Sequence, residues 1–449
     1  MVALNCPRLA SCWTICRALF GRPLIGKLVL VTLLIVLGIG TLVGRSELKH
    51  RELSEAVSSH IAAYQRQRWV RPVLRGSPGD GNAAADAQKA LNGFKRMSNQ
   101  AREQLALAVH YGKALGPDEL GWVDAQAYRI ASLHAAASRS WAVTALDPEA
   151  PDNPPPPDYV RFVDAMLYVL ADAGRLPPDA CLPAACDAIR MGQDLVPGAP
   201  LEAASVSMRV TSLAAPVIAR CARGASYTAL VNAARELHMM ASNPPPTFGG
   251  IELADIQALV RVRDLSVVWP PPMGESPIKR LQRRPVLLEA FKQLDKPGRW
   301  RAISATKYPQ ALQTWVEEQE WRDRSELPLV REASGDVTGF LFDDMRGQAL
   351  VRVLTVGLAT LAERVNRERL PREPINLKDP ALADPFNGRP LLWRVASDGS
   401  ELSIWSVGED RRDDKGSSEW AKQAPIDVTV HFGLAALAPP VKTAKRSLR

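Results

Sequence analysis

Four acidic side chains crowd the stretch GEDRRDDKG near the C-terminus: Glu409, Asp410, Asp413 and Asp414, with Asp427 further on. Calcium takes six to eight oxygen ligands from carboxylates and loop carbonyls, and an Asp-dense loop supplies them. Asp410, Asp413, Asp414 and Asp427 are therefore candidate metal ligands, and Ca2+ is the one cofactor the sequence points to. Arg411, Arg412 and Lys415 lie among these acids, and the spacing is not that of an EF-hand. A solvated turn tied by local salt bridges accounts for the same residues.

Other chemistry finds little footing. Ser276 with Lys279 and Ser304 with Lys307 both match the Ser-x-x-Lys nucleophile pattern, but the Ser-Asp-Asn and Lys-Thr-Gly elements that accompany it are missing. There is no phosphate loop, no dinucleotide fingerprint and no Gly-x-Ser-x-Gly elbow. The six histidines are scattered without a His-Glu-x-x-His pair, and His110 and His134 fall in helical stretches. The sequence thus names no catalytic residue.

Three cysteines, Cys6, Cys12 and Cys16, precede an apolar segment and three, Cys181, Cys186 and Cys221, follow it. The first three lack zinc-ligand spacing. Cys181 and Cys186 bracket LPAA, which reads either as a short loop closed by a disulfide or as a helix burying two small thiols.

The apolar segment is LVLVTLLIVLGIGTLV, Leu28 to Val43, uncharged and, extended back to Pro23, long enough to cross a bilayer. A cleaved signal peptide is the rival, but no small-x-small site follows it. Arg8, Arg17, Arg22 and Lys27 precede it without an acid, whereas acids and bases mix after Gly44. The positive-inside rule then keeps residues 1–22 in the cytoplasm and exports the body. The formal charge of +8 resides at the two ends, since Lys442, Lys445, Arg446 and Arg449 also stand without acids. The body is neutral, which argues against a nucleic-acid groove.

Residues 45–150 are rich in Ala, Leu, Gln, Glu and Arg and read as helices. PDNPPPPD at 151–158 reads as a polyproline spacer, and a second Ala-rich helical region fills 159–242 up to NPPPTFGG. Residues 243–344 are mixed: VRVRDLSVVW looks like a strand, PVLLEAFKQL and YPQALQTWVEEQEW like helices, and Trp300, Trp315 and Trp321 like core residues. From 345 to 368, Leu350, Leu354, Leu358 and Leu361 form the stripe of an amphipathic helix that must bury a face. DPFNG then predicts a turn in which Asp384 accepts backbone hydrogen bonds and Gly388 turns left-handed. PLLWRV, the SDGS turn, ELSIWSVG and IDVTVHF complete a three-stranded antiparallel meander on that helix. Residues 433–449 read as a basic disordered tail.

These C-terminal elements carry a resemblance. DPFNGRPLLWRV, IWSVG and EDRRDDKG with a closing IDVTVHF resemble the C-terminal module of the major pseudopilins of type II secretion. They are also similar to large membrane-anchored proteins of planctomycetes and myxobacteria, and the likeness covers about a fifth of the chain, 336 to 432. It implies a helix packed on a small sheet, a calcium loop at Asp410, Asp413 and Asp414 with Asp427 beyond, and a link to a secretion apparatus. The chain departs from pseudopilins in placing about 300 residues between the apolar segment and this module and in lacking a prepilin-peptidase site.

The expected architecture is mainly α with a small C-terminal α+β module: one N-terminal transmembrane helix at 23–44, an exported helical body, and a helix plus three-stranded meander at 345–432. The expected role is a non-enzymatic periplasmic scaffold in the inner membrane with protein partners in the envelope and no nucleic acid. The alternative is an exported, membrane-anchored, hydrolase-like enzyme whose site is built by the helical body.

Overall fold

The computed structural model describes residues 23–66, 69–70, 79–94, 96–144, 146, 148–149, 158–266, 277–295, 310–332, 337–417 and 427–434. The proline spacer, apart from Asp158, lies outside these, as do Ser276, the Ser304–Lys307 pair, Trp300 and the basic tail beyond Leu434. The fold is mainly helical. It divides into two compact units, residues 1–60 with 259–293, and residues 61–258 with 294–449.

The first unit is dominated by helix α1, Pro23–Gln65, which runs past the unit boundary without a break. Its apolar half is long and apolar enough to cross a membrane. Large side chains from Leu28 to Leu42 stand 51–69% exposed, an exposure that soluble helices avoid over such a length. One turn after Gly44 the character changes, and Ser46, Leu53 and Val57 are buried. The unit also holds the end of α10, Phe248–Ser266, and most of α11, Pro277–Leu294. The Ser266 hydroxyl donates to the Arg263 carbonyl at 2.6 Å, so His50 Nδ1, 2.9 Å from Ser266 Oγ, is the donor of that pair.

The second unit is a helical bundle with a sheet in its wall. Its early helices are α2 (Ala83–Leu91), α3 (Asn99–Tyr111), α4 (Pro117–Asp124) and α5 (Ala127–Ala137). Then come α6 (Tyr159–Ala173), α7 (Pro178–Asp194), α8 (Glu202–Ala222) and α9 (Tyr227–Ser242). After α10 and α11 follow α12 (Gln310–Asp323), α13 (Pro328–Glu332) and α14 (Val337–Arg367). Helix α6, YVRFVDAMLYVLADA, is buried on nearly every side, which suits a helix apolar all round. Its one central acid, Asp164, is 1% exposed and accepts two bonds from Arg102 of α3 at 2.7 and 3.0 Å. Arg190 and Glu236 link α7 to α9 at 3.3 Å in the same manner, and Arg322 links α12 to Asp255 of α10 at 2.7 and 3.0 Å. Such pairs fix register more than they add stability.

Two sequence expectations are corrected. The disulfide joins Cys181 to Cys221 across α7 and α8, while Cys186 is a buried free thiol. LPAA is not a loop but the interior of α7, and residues five apart on a helix point about 140° apart, which Cys181 and Cys186 cannot bridge. Val260 to Leu265, expected as strand, continues α10. Its alternation coexists with helically spaced Ile256, Leu259 and Val260, all buried.

One sheet lay beyond sequence reading. Strands β1 (Trp69–Val70), β2 (Gly79–Asn82) and β3 (Arg139–Ala142) form a sheet in the order β1-β3-β2, antiparallel then parallel. GDGN has no strand propensity. The Asn82 side chain instead grips both the amide and the carbonyl of Val143, at 3.1 and 2.8 Å.

The second sheet matches expectation: β4 (Leu392–Val395), β5 (Glu401–Ser406) and β6 (Val428–Gly433) form an antiparallel meander. It is part of the bundle wall, because Leu402, Ile404, Val430 and Phe432 join the same core cluster as α6 to α9 and α14. Close approach is set at Gly357 of α14, where a Cβ would lie 2.2 Å from the Phe432 ring.

Candidate functional site

The DPFNG turn is built around Asp384, which is 1% exposed. Oδ1 accepts the Phe386 amide and the Ser406 hydroxyl, each at 2.9 Å, and Oδ2 accepts the Val407 amide at 2.9 Å. Gly388 closes the turn at φ +71°, as its sequence predicts. One carboxylate thereby ties the turn to the end of β5. The SDGS turn repeats the device at the surface: Asp398 accepts the amide and hydroxyl of Ser400 at 3.0 and 2.7 Å, and these bonds hold its carboxyl below the usual range.

The acidic loop follows β5. Asp410 Oδ1 accepts the Arg412 amide at 2.9 Å, and Asp413 Oδ1 accepts the Lys415 amide at 2.8 Å and the Trp405 indole at 3.1 Å. The loop acids therefore bind the amides of Arg412 and Lys415 where salt bridges to their charged ends were expected. Glu409 pairs with Arg346 of α14 at 2.8 Å; burial pushes its carboxyl up, with Arg346 pulling the other way. Gly416, at φ +74°, sits under Trp405, where a Cβ would come within 3.1 Å of the ring.

Asp427, at the start of β6, is different. It is 4% exposed; Oδ2 accepts the Gly416 amide at 2.8 Å, but Oδ1 has no partner among the described residues. Burial pushes its carboxyl up to about 6; the Gly416 and Asp414 amides oppose this, and the charges of Asp414 and Asp413 add to it. Among the described residues no three His, Cys, Asp or Glu side chains are grouped to hold a metal. Asp410 Oδ1 and Asp413 Oδ1 serve the loop's own amides.

Asp427 also lines a groove of about 500 Å³. One wall is a stripe of α8, Met208, Ser212, Ala215, Pro216 and Ala219; the other is β6 from Asp427 to His431. Arg346 and Leu350 of α14 and His110 at the end of α3 complete it. Among the described residues β6 is the edge of its sheet, and its outer side has no strand partner there. Thr429 Oγ1 is buried without a partner among the described residues. His431 Nδ1 lies 2.8 Å from Glu401 and 3.0 Å from Ser403, and His110 stands edge-on to Tyr111 with ring centroids 4.6 Å apart. Two cues in the sequence pointed here: a proline inside an Ala-rich helix, and the alternation that sets Asp427, Thr429 and His431 on one face of β6.

Compared with known proteins, the chain matches no family model, no curated protein and no solved structure.

Proposed function

We propose that this chain is a non-enzymatic scaffold held in the inner membrane by α1, its N-terminus in the cytoplasm and its body in the periplasm, where it engages protein partners linked to a secretion apparatus. The observation that carries the reading is α1 itself. A single helix of 43 residues, exposed and apolar in its first half and burying one face with Ser46, Leu53 and Val57 in its second, is the form a membrane tether takes when it continues into a folded body. The bias of basic residues toward the segment before it supports the orientation. The buried Arg–Asp and Arg–Glu pairs support the scaffold role, because each links two helices. A periplasm-active reporter fused after Gln65 is expected to be active, and cross-linking in intact cells is expected to recover envelope proteins. A reporter active only in the cytoplasm overturns the orientation, and cross-links without any envelope protein overturn the scaffold role.

A second reading has one observation in its favour: His110, His431 and the partly unpartnered Asp427 border one groove, the type of setting a hydrolase uses. Turnover of ester or peptide substrates that vanishes in both His110→Ala and His431→Ala would replace the scaffold with that enzyme.

A further inference from the structure

Strand β6 carries hydrogen-bonding groups that its own sheet does not use. In an antiparallel pair, residues whose backbone groups bond the neighbouring strand alternate with residues whose groups point away from it. The Leu434 amide donates to the Ser400 carbonyl at 2.7 Å, continuing the register that pairs Phe432 with Leu402 and Val430 with Ile404. Val428, Val430 and Phe432 therefore turn their backbone toward β5. Thr429 and His431 turn theirs outward, where no described group bonds them.

The groove between β6 and α8 follows that outer edge. Consecutive residues from Asp427 to His431 line it, as the edge of a strand does and one face, made of alternate residues, does not. The opposite wall presents Ser212, Ala215 and Ala219 of α8, short side chains that let a backbone approach, with Met208 and Leu350 adding apolar surface. We propose that this groove takes an extended segment of a partner polypeptide as a fourth strand on β6, with lysine or arginine side chains of that segment at the Asp427 end.

Strand addition draws its affinity from backbone pairing and its specificity from the side chains that alternate along the added strand. Charge selects the basic end. Asp413 and Asp414 are exposed, and the charges that act on Asp427 are theirs, with none from Arg411, Arg412 or Lys415. The Asp427 carboxyl itself is buried and takes no part. Arg346, which also lines the groove, is held by Glu409 at 2.8 Å. At the far end of β6 the exposed Arg223 lies against Gly433, its Cδ 3.7 Å from where a Cβ would stand. The field along the edge thus runs from negative to positive, and a cation is favoured at one end only. The inference rests on the scaffold reading, for which it names the chemistry of the partner; peptide binding to the purified chain can fail while envelope cross-links persist, so the two fail separately.

The test is fluorescence anisotropy on the full chain in lipid nanodiscs. The probes are labelled Val-Thr-Val-Thr-Lys-Lys and its reverse, which cover both strand directions, with glutamate-for-lysine and N-methylated versions as controls. Saturable binding of one lysine peptide is expected, about tenfold or more weaker when glutamate replaces lysine or when N-methylation removes the pairing amides. On binding, the Thr429 and His431 amides are expected to exchange hydrogen more slowly, while those of Val430 and Phe432, already bonded to β5, change little. Thr429→Pro removes one outward amide, a substitution an edge strand tolerates; it is expected to melt close to the wild type and to bind about tenfold more weakly. Asp414→Lys, at an exposed position, is expected to weaken the lysine peptides and strengthen the glutamate ones. Truncation after Leu434 is expected to leave the affinity unchanged; a tenfold gain would give the groove to residues 435–449 and overturn the assignment to a partner. Absence of saturable binding by both lysine peptides, equal binding of the N-methylated forms, unaltered exchange at Thr429 and His431, or lysine-peptide affinity unchanged in Asp414→Lys also overturns the proposal.

Discussion

Asp384 and Asp427 are two buried aspartates flanking one small sheet, and they have opposite fates. Asp384 closes the C-terminal end of β5 with both oxygens engaged by three donors. Asp427, just before β6, accepts the Gly416 amide on Oδ2, and its Oδ1 has no partner among the described residues. Nearly equal burial, 1% against 4%, gives the first a structural role and leaves the second an unmet demand. In an acidic region, counting carboxylates is thus less informative than counting the hydrogen bonds each one lacks.

The sharpest way to break this comparison is to remove Asp384. Asp384→Ala leaves the Phe386 and Val407 amides and the Ser406 hydroxyl without their acceptor and is expected to lower the unfolding free energy by about 4 kcal/mol, read by denaturant melts. Asp427 should behave inversely. Its folded carboxyl, near 6, lies above its ordinary value of 3.8, so the folded chain binds the proton more tightly and loses stability as pH rises between these values. The loss is on the order of 3 kcal/mol and persists above that window. Asp427→Asn is expected to remove this loss, equalling or trailing the wild type near pH 4 and exceeding it by ~2 kcal/mol near pH 7. A variant less stable than wild type at neutral pH would show that Asp427 is as structural as Asp384.

Between them lies Gly416, whose amide donates to Asp427 Oδ2 at 2.8 Å. Gly416→Ala is expected to cost about 1–2 kcal/mol, from positive φ and the approach to Trp405. Calcium should have the smallest effect. Tight binding at a hundredfold excess over Kd would add about 2.7 kcal/mol, whereas the expectation from the described loop is no shift in melting temperature. A clear upward shift would make the loop, with Asp427, a metal site after all.

What was legible in the sequence was local. The turns at Asp384 to Gly388 and Ser397 to Ser400, the meander that follows, the stripe on α14 and the apolar half of α1 each write their geometry into a few neighbouring residues. The β1-β3-β2 sheet was not legible because its middle partner is held by the side chain of Asn82, sixty-one residues from Val143. The disulfide was not legible because partner choice between Cys186 and Cys221 depends on how α7 and α8 lie together. The groove needs α3, α8, α14 and β6 side by side, and the unpartnered oxygen of Asp427 becomes visible only when every neighbouring donor has been assigned.

The notch at Gly357 reaches into the history of the sequence. A methyl group there would fall inside the Phe432 ring, so the two positions are bound to drift together or stay fixed. A lineage that gains a side chain at 357 must first have shrunk the residue at 432. In a suppressor screen, loss of function by Gly357→Ala is where a compensating change at Phe432 should surface.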